Sequence, residues 1–387
     1  MSTLNERHTL AEQVAQAMGK SVYNNVEAHK DITPRLELQQ KSPKLMTLEE
    51  AIRHSGLKDG MTISFHHHFR GGDKVVNMVV AKLAEMGFKG LHLAASSLQD
   101  VHEPLIEHIR NGVITEISTS GLRGELAKEI SHGLMEKPVV FRSHGGRGEA
   151  IASGEMHIDV AFLGASSSDP LGNACGYSRS ENAKSICGSL GYALPDAHYA
   201  DKVVILTDDL VPYPNTPNSI SEHDVDYVVE VESVGDSSKI ASGAIRDTKN
   251  PRDILLAQQA AKVIVNSGYF KNGFSIQTGS GGASLAAVKY IRQSMIDQGI
   301  KASFALGGIT AHMVKMHEEG LIERLIDVQS FDKVAAESLK NDQKHKEVSA
   351  CEYASMHEQG AATHYLDIVI LSALEVDVNF NVNVLVA

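Results

Sequence analysis

The feature that most constrains the fold of this 387-residue chain is an internal repeat. The segments KDGMTISF, GFKGLHLAASSL, EHIRNGVITEIS and HIDVAFLGASSSDPLGNA occupy 58–65, 87–98, 107–118 and 157–174. Each matches a later segment in the same order, at 271–278, 299–310, 315–326 and 365–382, with offsets of 208 to 213 residues. In the last pair, three polar residues recur, so that Asp159, Asp169 and Asn173 align with Asp367, Asp377 and Asn381. A period of this length indicates a duplicated domain and excludes a solenoid of short repeats.

Short apolar runs alternate with amphipathic helical stretches along the chain. TLEEAIRHSGL is typical of a helix with Thr47 as its N-cap, MTISF and LHLAA are typical of buried strands, and KVVNMVVAKLAEMG predicts a helix between them. The alternation predicts an α/β fold with open, mainly parallel sheets. We therefore expect an accessory segment at 1–45, a first domain at 46–230 and a related second domain at 231–387.

The second copy is shorter than the first. After its Asp…Asn turn, the first copy continues through a polar segment into another buried strand, whereas the second copy ends in the apolar run VNVLVA. Ending there would leave a sheet edge unpaired. We expect the second domain to be incomplete at its C-terminus and the chain to be part of a longer protein.

Composition excludes several classes of function. The chain is 42% hydrophobic and 22% charged, as is usual for a soluble globular protein, and its net charge of -12 argues against nucleic acid or an anionic membrane as a partner. No membrane span, signal peptide, P-loop, G-x-S-x-G elbow or dinucleotide-binding glycine motif is present in the sequence. Three widely spaced cysteines fit a reducing, cytoplasmic setting.

The repeat indicates where to look for chemistry. In FSIQTGSGGASLAAVKYI, a strand runs through Gly279, Gly281 and Gly282 into a helix that Ser280 and Ser284 can cap. Free N–H groups and the positive end of the helix dipole make such a turn a site for phosphate, carboxylate or a developing oxyanion. A tight connection without a ligand remains the alternative.

The first copy has ISFHHHFRGGDK at the same place, with Gly71 and Gly72 aligned with Gly281 and Gly282. Alternate strand residues share a face, so only His66 and His68 lie together, and a zinc site needs one or two more ligands. No second cluster at ligand spacing is evident, so we expect no metal. We expect a substrate-facing anion or proton site that includes Arg70, with purely structural histidines as the alternative.

Further glycine-containing loops follow other predicted strands. FALGGITAHM places Gly307, Gly308 and Thr310 where the chain leaves a second strand, and carboxyl ends of parallel strands converge on the binding crevice. LAASSLQD places Ser96 and Ser97 at the matching point of the first copy. FRSHGGRGEA (141–150) is either another anion-binding loop or a flexible hairpin.

These segments resemble the CoA-transferase superfamily. DGMTISFHHHFRGGD, GSGGASLAAVKYIRQSM, FALGGITAHMV and HIDVAFLGASSSDPLGNACG are similar to the citrate lyase alpha chains within it, and the resemblance covers nearly all of 46–387. It implies two related α/β domains. It also implies an acyl exchange in which citrate replaces acetyl on a CoA-like thioester of an acyl carrier protein, giving a citryl thioester and acetate.

The resemblance also implies roles for the glycine turns and the histidine segment. Backbone donors for the tetrahedral oxyanion would come from Gly281, Gly282, Gly307 and Gly308. Substrate would be bound by His66, His68, Arg70, Gly71, Gly72, Ser280 and Thr310. No cofactor would be held permanently, because the CoA-like phosphopantetheine thioester acts as a co-substrate. The implied partners are the beta (lyase) and gamma (acyl carrier) subunits in a cytoplasmic oligomeric complex.

One departure from many CoA-transferases concerns the nucleophile. Where those enzymes have a glutamate that forms a covalent thioester, this chain has ALGGIT (305–310). This favours direct transfer in a ternary complex. A non-catalytic citrate- or CoA-sensing or assembly subunit on the same fold remains the alternative, because fold does not fix function.

Overall fold

The computed structural model describes residues 44–241, 248–279 and 281–384, together with two isolated positions near the N-terminus. Nearly all of the expected accessory segment at 1–45 therefore lies outside the described residues. Ser280, expected to bind substrate, also lies outside them.

The described residues of the first half of the chain form nine strands. They are β1 (Thr62–Phe65), β2 (Leu91–Ala95), β3 (Ile114–Thr119), β4 (Val140–Phe141), β5 (Val160–Ala165), β6 (Ser167–Ser168), β7 (Ala174–Cys175), β8 (Lys202–Thr207) and β9 (Tyr227–Glu230). Seven form a sheet in the order β4-β3-β2-β1-β5-β8-β9, and every neighbouring pair is parallel. β6 and β7 form a separate antiparallel hairpin. The helices of this half are α1 (Leu48–His54), α2 (Val75–Glu85), α3 (Leu105–Arg110), α4 (Gly124–Ser131), α5 (His144–Ala152) and α6 (Leu194–Tyr199).

The second half has its own parallel sheet. Its strands are β10 (Phe274–Thr278), β11 (Ala302–Ile309), β12 (Ile322–Ser330), β13 (His345–Glu347) and β14 (Ile368–Ile370), in the order β13-β12-β11-β10-β14. The hairpin strands β15 (Glu375–Val376) and β16 (Val382–Asn383) follow. The helices are α7 (Pro251–Val265), α8 (Gly282–Gln298), α9 (Ala311–Glu318), α10 (Lys333–Asn341) and α11 (Ala350–Ala354). The fold class predicted from the sequence, α/β with mainly parallel sheets, is confirmed.

Local sequence explains where the helices begin. Thr47 accepts a hydrogen bond from the Glu50 backbone N–H and its own N–H bonds the Glu50 carboxylate, which is the capping box expected ahead of α1. The expectation that Ser284 caps α8 is wrong. The N-cap is Gly281 without a side-chain bond, and the Ser284 hydroxyl lies 3.3 Å from that of Ser372.

The two halves share more than strand order. The order β4-β3-β2-β1-β5 has the same crossovers as β13-β12-β11-β10-β14. The Asp159 carboxylate accepts the Thr62 N–H at 2.7 Å, and the aligned Asp367 carboxylate accepts the Ser275 N–H at 2.9 Å. Each bond joins the residue before one strand (β5 or β14) to the start of its parallel neighbour (β1 or β10). The structural likeness supports the internal repeat, while its origin by duplication remains a prediction.

The aligned hairpins differ in exposure. The Asn173 side-chain amide donates to Asp169 at 2.8 Å, and the Asn381 amide donates to Asp377 at 2.7 Å in the same turn. In the first half, the backbone of Asn215 and further residues of the following segment cover this turn. In the second half, the apolar residues Val378, Phe380 and Val382 on and beside β15–β16 are exposed.

Different parts of the chain cover the two faces of the second sheet. One face packs against α7, α8 and α9 through a core that includes Ile291 and Met313. The other packs against the first half, where Tyr192 joins Phe304 and Val348 in a third cluster. Residues beyond 230, including Val234 and Ile240, pack into the core of the first half. The domain boundaries remain predictions. Within the described ranges, no helix combines the length and apolar character that a membrane crossing requires.

Candidate active site

The three histidines leave the carboxyl end of β1 and enter the contact between the two halves. Their exposed fractions are 7% for His66, 5% for His67 and 0% for His68. The rings of His66 and His68 lie together, with centroids 4.3 Å apart, as the alternation of strand residues predicts. The side chains therefore form a buried cluster at a strand end and not a solvent-facing patch.

Burial makes these imidazoles neutral. Removal from water lowers the pKa of His66 to about 4 and holds the pKa values of His67 and His68 well below their usual range. At neutral pH these imidazoles therefore add no positive charge to the site, and the roles of His66 and His68 toward substrate remain predictions. Among the described residues, His66 Nδ1 lacks a hydrogen-bond partner, and the ring nitrogens of His68 have at most a weak contact with the Ser189 backbone. Buried polar atoms normally have partners, so these nitrogens are suited to meet a ligand.

His67, which the sequence pattern assigned to the opposite face, makes the best-defined contacts of the three. Its Nδ1 lies 2.6 Å from the Ser96 hydroxyl at the end of β2. Its ring packs on Tyr192, with centroids 5.1 Å apart, and lies 5.9 Å from the ring of His144. Burial also lowers the pKa of His144 to about 4. The sequence pattern placed Ser96 and His144 in two separate loops, and no signal joined these loops to His67 and Tyr192.

Arg70 carries the positive charge of the site. It is 5% exposed, adopts a left-handed backbone with φ of 50°, and its NH1 has no partner among the described residues. Burial lowers its pKa to about 10, so the guanidinium remains protonated at neutral pH. Its Cζ lies 4.5 Å from the centroid of the Phe331 ring, which belongs to the second half. A buried cation with an unpaired N–H group suits an anionic substrate.

Phe331 connects Arg70 to a predicted catalytic glycine. A Cβ at Gly308 would overlap the Phe331 ring, so only glycine permits this packing. The register of β11 and β12 shifts between Gly307 and Gly308, and a bulge of this kind releases backbone groups from the ladder. Gly307 has φ of 97°, which favours glycine. The structure thus brings Gly308 and Arg70 to the same place.

Thr310 is fully buried, and its hydroxyl has no partner among the described residues. It precedes α9 without capping it, because the Asp332 carboxylate accepts the Ala311 N–H at 2.7 Å. That carboxylate already interacts favourably with the positive end of α9. Thr310 can therefore contribute its hydroxyl to ligand binding, whereas the N-terminus of α9 is already occupied by the Asp332 carboxylate.

The other predicted glycines have different surroundings. Gly279 N donates to the Ile370 carbonyl at 2.8 Å, and a Cβ at Gly281 would lie 3.1 Å from the Ser372 hydroxyl, so this turn sits beside the end of β14. Arg70 to Gly72 form a 3-10 turn, and a Cβ at Gly72 would overlap the carbonyl oxygen of Asp236. Gly72 is therefore required for close backbone packing, whatever its role toward substrate.

A glycine-containing loop that sequence reasoning missed joins the halves. A Cβ at Gly188 would overlap the Ser330 hydroxyl, and one at Gly191 would overlap backbone oxygens of the second sheet. Ser189 donates to the Asp327 carbonyl at 2.8 Å, and Leu190 N donates to the Glu347 carboxylate. Burial raises the pKa of Glu347. The only signal in the sequence was the spacing of glycines in CGSLGY.

The segment FRSHGGRGEA is neither of the structures considered from the sequence. It forms the start of α5, where Ser143 caps the Gly146 N–H at 3.0 Å. The Arg147 guanidinium is buried and bonds both carboxylate oxygens of Asp196, at 2.9 and 2.8 Å, and the Ser64 hydroxyl at 2.9 Å. The NH1 and NH2 groups of Arg147 are thus occupied by Asp196, Ser64 and Ala94, while its Nε lacks a partner among the described residues.

Elsewhere in the described part of the chain, three side chains lie close enough together to hold a metal ion. His157, Asp159 and Asp201 lie close together at the opposite, amino end of the first sheet, partly exposed and already hydrogen-bonded to one another or to the backbone. The expectation that His66 and His68 hold no metal remains a prediction.

The candidate site combines the buried Arg70 guanidinium, neutral imidazoles, hydroxyls and a glycine bulge. These groups can bind a carboxylate and stabilise charge developing on a carbonyl oxygen.

Comparison with known proteins identifies the family. The model of the family "Citrate lyase, alpha subunit (CitF)" matches residues 42–387. The chain belongs to the citrate lyase alpha subunit family. It is 58% identical over 367 residues to the citrate lyase alpha chain of Haemophilus influenzae, covering 95% of this chain and 72% of that relative. The alpha chain of Escherichia coli K12 is 60% identical over 338 residues, covering 87% of this chain and 66% of that relative.

Solved structures agree with this family assignment. The putative alpha subunit of citrate lyase from Streptococcus mutans, crystallised in complex with citrate, has a TM-score of 0.85 and 58% identity, covering 89% of this chain and 67% of that one. A malonate decarboxylase alpha subunit from Acinetobacter baumannii has a TM-score of 0.57 at 16% identity, covering 77% and 54% of the two chains. At that identity the likeness concerns the fold alone.

Proposed function

We propose that this family member is an acyl transferase that exchanges citrate for acetyl on the CoA-like thioester of an acyl carrier protein. The observation that carries the proposal is the buried Arg70 guanidinium, with an unpaired N–H group, held against Phe331 and Gly308 beside neutral His66 and His68. The citrate complex of the Streptococcus mutans relative supports citrate as the acid.

The reaction proceeds in two balanced steps. A citrate carboxylate oxygen attacks the acetyl thioester carbonyl, forming a C–O bond while the C–S bond breaks and the thiolate leaves. The thiolate then attacks the citryl carbonyl of the mixed anhydride, forming the citryl thioester and releasing acetate. Each step passes through a tetrahedral oxyanion, for which preorganised backbone donors are effective.

Each group of the candidate site has a task in this reaction. Arg70 binds a carboxylate of citrate through a charge-assisted hydrogen bond. His66 and His68 present uncharged ring nitrogens to the remaining oxygens and add no charge that would trap the product. The bulge at Gly307 and Gly308 supplies backbone donors to the oxyanion, and Gly281 and Gly282 are the second set of candidate donors.

Transfer without a covalent glutamate fits the residues at the end of β11. Gly307 to Thr310 contain no carboxylate, and the nearby Asp327 is bonded to the Ser330 hydroxyl at 2.6 Å and to His345 Nε2 at 3.2 Å. The Glu347 carboxylate accepts the Leu190 N–H. Both carboxylates already have structural partners, which supports direct attack by citrate.

The proposed reaction involves partner subunits and a co-substrate in the cytoplasm. Family membership supports a multi-subunit citrate lyase complex, in which a beta subunit cleaves the citryl thioester and a gamma subunit carries it. The CoA-like phosphopantetheine thioester is a co-substrate and not a resident cofactor. Cys175, Cys187 and Cys351 are free thiols, which supports a cytoplasmic location.

The test measures exchange of labelled citrate into an acetyl thioester by the full chain with carrier and partner subunits. We expect exchange, and we expect Arg70→Ala to lower kcat/KM for citrate by about 100-fold, because a buried charge-assisted hydrogen bond is lost. The matched control is Arg53→Ala, since Arg53 is exposed on α1 and pairs with the exposed Glu49. It should remain within about twofold of the unchanged chain.

Two outcomes would reject the proposal. Absence of exchange by the unchanged protein, with carrier and partner present, would exclude the transferase. Citrate binding that depends on Arg70 without turnover would indicate the sensing or assembly subunit instead. A covalent acyl-enzyme trapped on a glutamate would contradict direct transfer while leaving the overall exchange intact.

A further inference from the structure

A buried hydrogen bond connects the end of β12, in the second half of the chain, to the histidine segment of the first half. The Gln329 side-chain amide donates to the His67 backbone carbonyl at 2.9 Å, and Gln329 is 2% exposed. The two residues are 262 positions apart in the sequence. The bond therefore exists only because the two halves of the chain are in contact.

The His67 carbonyl is also the point at which the turn that carries Arg70 closes. This oxygen accepts the Arg70 backbone N–H at 2.9 Å, so it has two donors. Arg70 has a left-handed backbone with φ of 50°, which is unfavourable for a residue that has a Cβ atom. Such a conformation persists only where neighbouring contacts fix it. The Gln329 amide supplies one of these contacts.

The end of β12 also holds the other end of the Arg70 side chain. Phe331, two residues after Gln329, packs on the guanidinium, with its ring centroid 4.5 Å from Arg70 Cζ. One short segment of the second half thus contacts both the turn from which Arg70 projects and the charged group that it carries.

The bulge between β11 and β12 explains the direction of the Gln329 side chain. Gln329 is the register partner of Gly308, and the preceding Val328 has no partner on β11. Consecutive residues of a regular strand face opposite sides of the sheet. Here Val328 lies with Tyr192 in the third hydrophobic cluster, and Gln329 contacts the same first half of the chain. A bulge re-aims the neighbouring side chains in this way.

A buried carboxylate holds the Gln329 backbone. The Gln329 N–H donates to Asp327 at 2.9 Å, and the same carboxylate accepts the Ser330 hydroxyl at 2.6 Å and lies 3.2 Å from His345 Nε2. The side chains of Asp327 and His345 are fully buried. Because the members of this network bond one another, the strand end that carries Gln329 is rigid.

We propose that Gln329 is a positioning residue for Arg70, an inference that rests on the proposed function. By holding the His67 carbonyl, Gln329 keeps the Arg70 turn in the conformation that presents the guanidinium to a citrate carboxylate. Gln329 acts through Arg70 and not by contact with the substrate. The anion site is therefore complete only when the two halves of the chain are in contact.

The experiment compares Gln329→Met with the control Gln258→Met in the full chain. Methionine is similarly long and unbranched but has no amide donor. The control removes a similar bond, because the Gln258 amide on α7 donates to the Tyr290 hydroxyl of α8 at 3.1 Å. Citrate affinity is measured by calorimetry, with and without Arg70→Ala in the same chain. Backbone hydrogen exchange of 66–72, followed by mass spectrometry, reports on the turn in the absence of citrate.

We expect Gln329→Met to weaken citrate binding about fivefold, which corresponds to the loss of one hydrogen bond. In the Arg70→Ala chain the same change should alter citrate affinity by less than about twofold, because the residue through which Gln329 acts is gone. The amides of 66–72 should exchange hydrogen about fivefold faster in Gln329→Met, whereas those of α2 should be unchanged. Gln258→Met should change neither citrate affinity nor hydrogen exchange at 66–72.

The inference is overturned if Gln329→Met and Gln258→Met have the same citrate affinity and the same hydrogen exchange at 66–72. It is also overturned if Gln329→Met weakens citrate binding equally with and without Arg70→Ala, since that result would indicate a general loss of packing.

Failure of the proposed function gives a different result. If the unchanged chain neither binds citrate nor transfers it, the transferase is rejected. Faster hydrogen exchange at 66–72 in Gln329→Met would then still support the Gln329 contact, and unchanged hydrogen exchange would overturn it. Citrate transfer that Gln329→Met leaves unaltered would keep the function and reject the positioning role.

Discussion

Arg147→Met removes the positive member of a buried ion pair behind the histidine cluster. Arg147 is 3% exposed and Asp196 is fully buried. The guanidinium makes two bonds to Asp196, one to the Ser64 hydroxyl and one to the Ala94 carbonyl at 3.0 Å. Methionine replaces the packing volume but leaves the carboxylate uncompensated, so we expect a loss of about 3–5 kcal/mol in the free energy of unfolding. That is a large part of the 5–15 kcal/mol typical of a folded protein.

The double variant Arg147→Met/Asp196→Leu separates the charge effect from the loss of packing. With both charges removed, no buried ion remains uncompensated, so the double variant should be more stable than Arg147→Met alone. Arg110→Met is the matched control, because Arg110 and Glu129 form a 2.7 Å pair with both side chains partly exposed. We expect it to cost less than about 1 kcal/mol.

Urea unfolding followed by far-UV circular dichroism gives the required free energies, since the chain has no tryptophan to report by fluorescence. Reduced stability should also displace β1 and the histidines that follow it, lowering citrate exchange. An Arg147→Met variant within 1 kcal/mol of the unchanged chain would refute the reasoning. So would a double variant that is less stable than the single one, because the buried carboxylate would then not be the cause.

Three further predictions follow from burial and packing. Gly72→Ala should lower the free energy of unfolding by about 2 kcal/mol or more, because the added Cβ would overlap the Asp236 carbonyl oxygen. The control Gly71→Ala should cost under about 1 kcal/mol, because its Cβ would lie 3.6 Å from the nearest neighbouring atom. Equal urea midpoints for the two variants would contradict this reasoning. Burial lowers the pKa of His144 to about 4 in the folded chain, from an ordinary value of 6.5. The unfolded chain therefore binds more protons at this residue than the folded chain does. The free energy of unfolding that is present above pH 6.5 should be lost as the pH falls toward 4. His144→Gln should flatten that dependence in urea titrations between pH 4 and 7, and an unchanged slope would exclude His144 as a contributor. Val378→Lys should reduce self-association of this chain, as measured by sedimentation velocity, because Val378 is 94% exposed on an apolar hairpin. Unchanged sedimentation would show that this hairpin does not form the contact between copies of the chain.

The sequence by itself determined several strands, the parallel α/β class and the places where loops leave those strands. Strand and helix periodicities are local properties, so MTISF and LHLAA become β1 and β2, and Thr47 caps α1 as the sequence predicts. The internal matches align β3 with β12 and Asp159 with Asp367, and the structure gives the aligned aspartates the same backbone contact. The predicted places of His66, Arg70 and Gly308 at strand ends follow from the same patterns.

Only the tertiary structure decided which of these loops meet and what charge they carry. A pKa depends on burial, so only the folded chain shows that burial lowers the pKa values of the three adjacent histidines. The contacts of Arg70 with Phe331 and of Arg147 with Asp196 join residues far apart in sequence, so no local pattern could predict them. Periodicity reports which side of an element faces the core, whereas desolvation and pairing depend on neighbours that only the folded chain brings together.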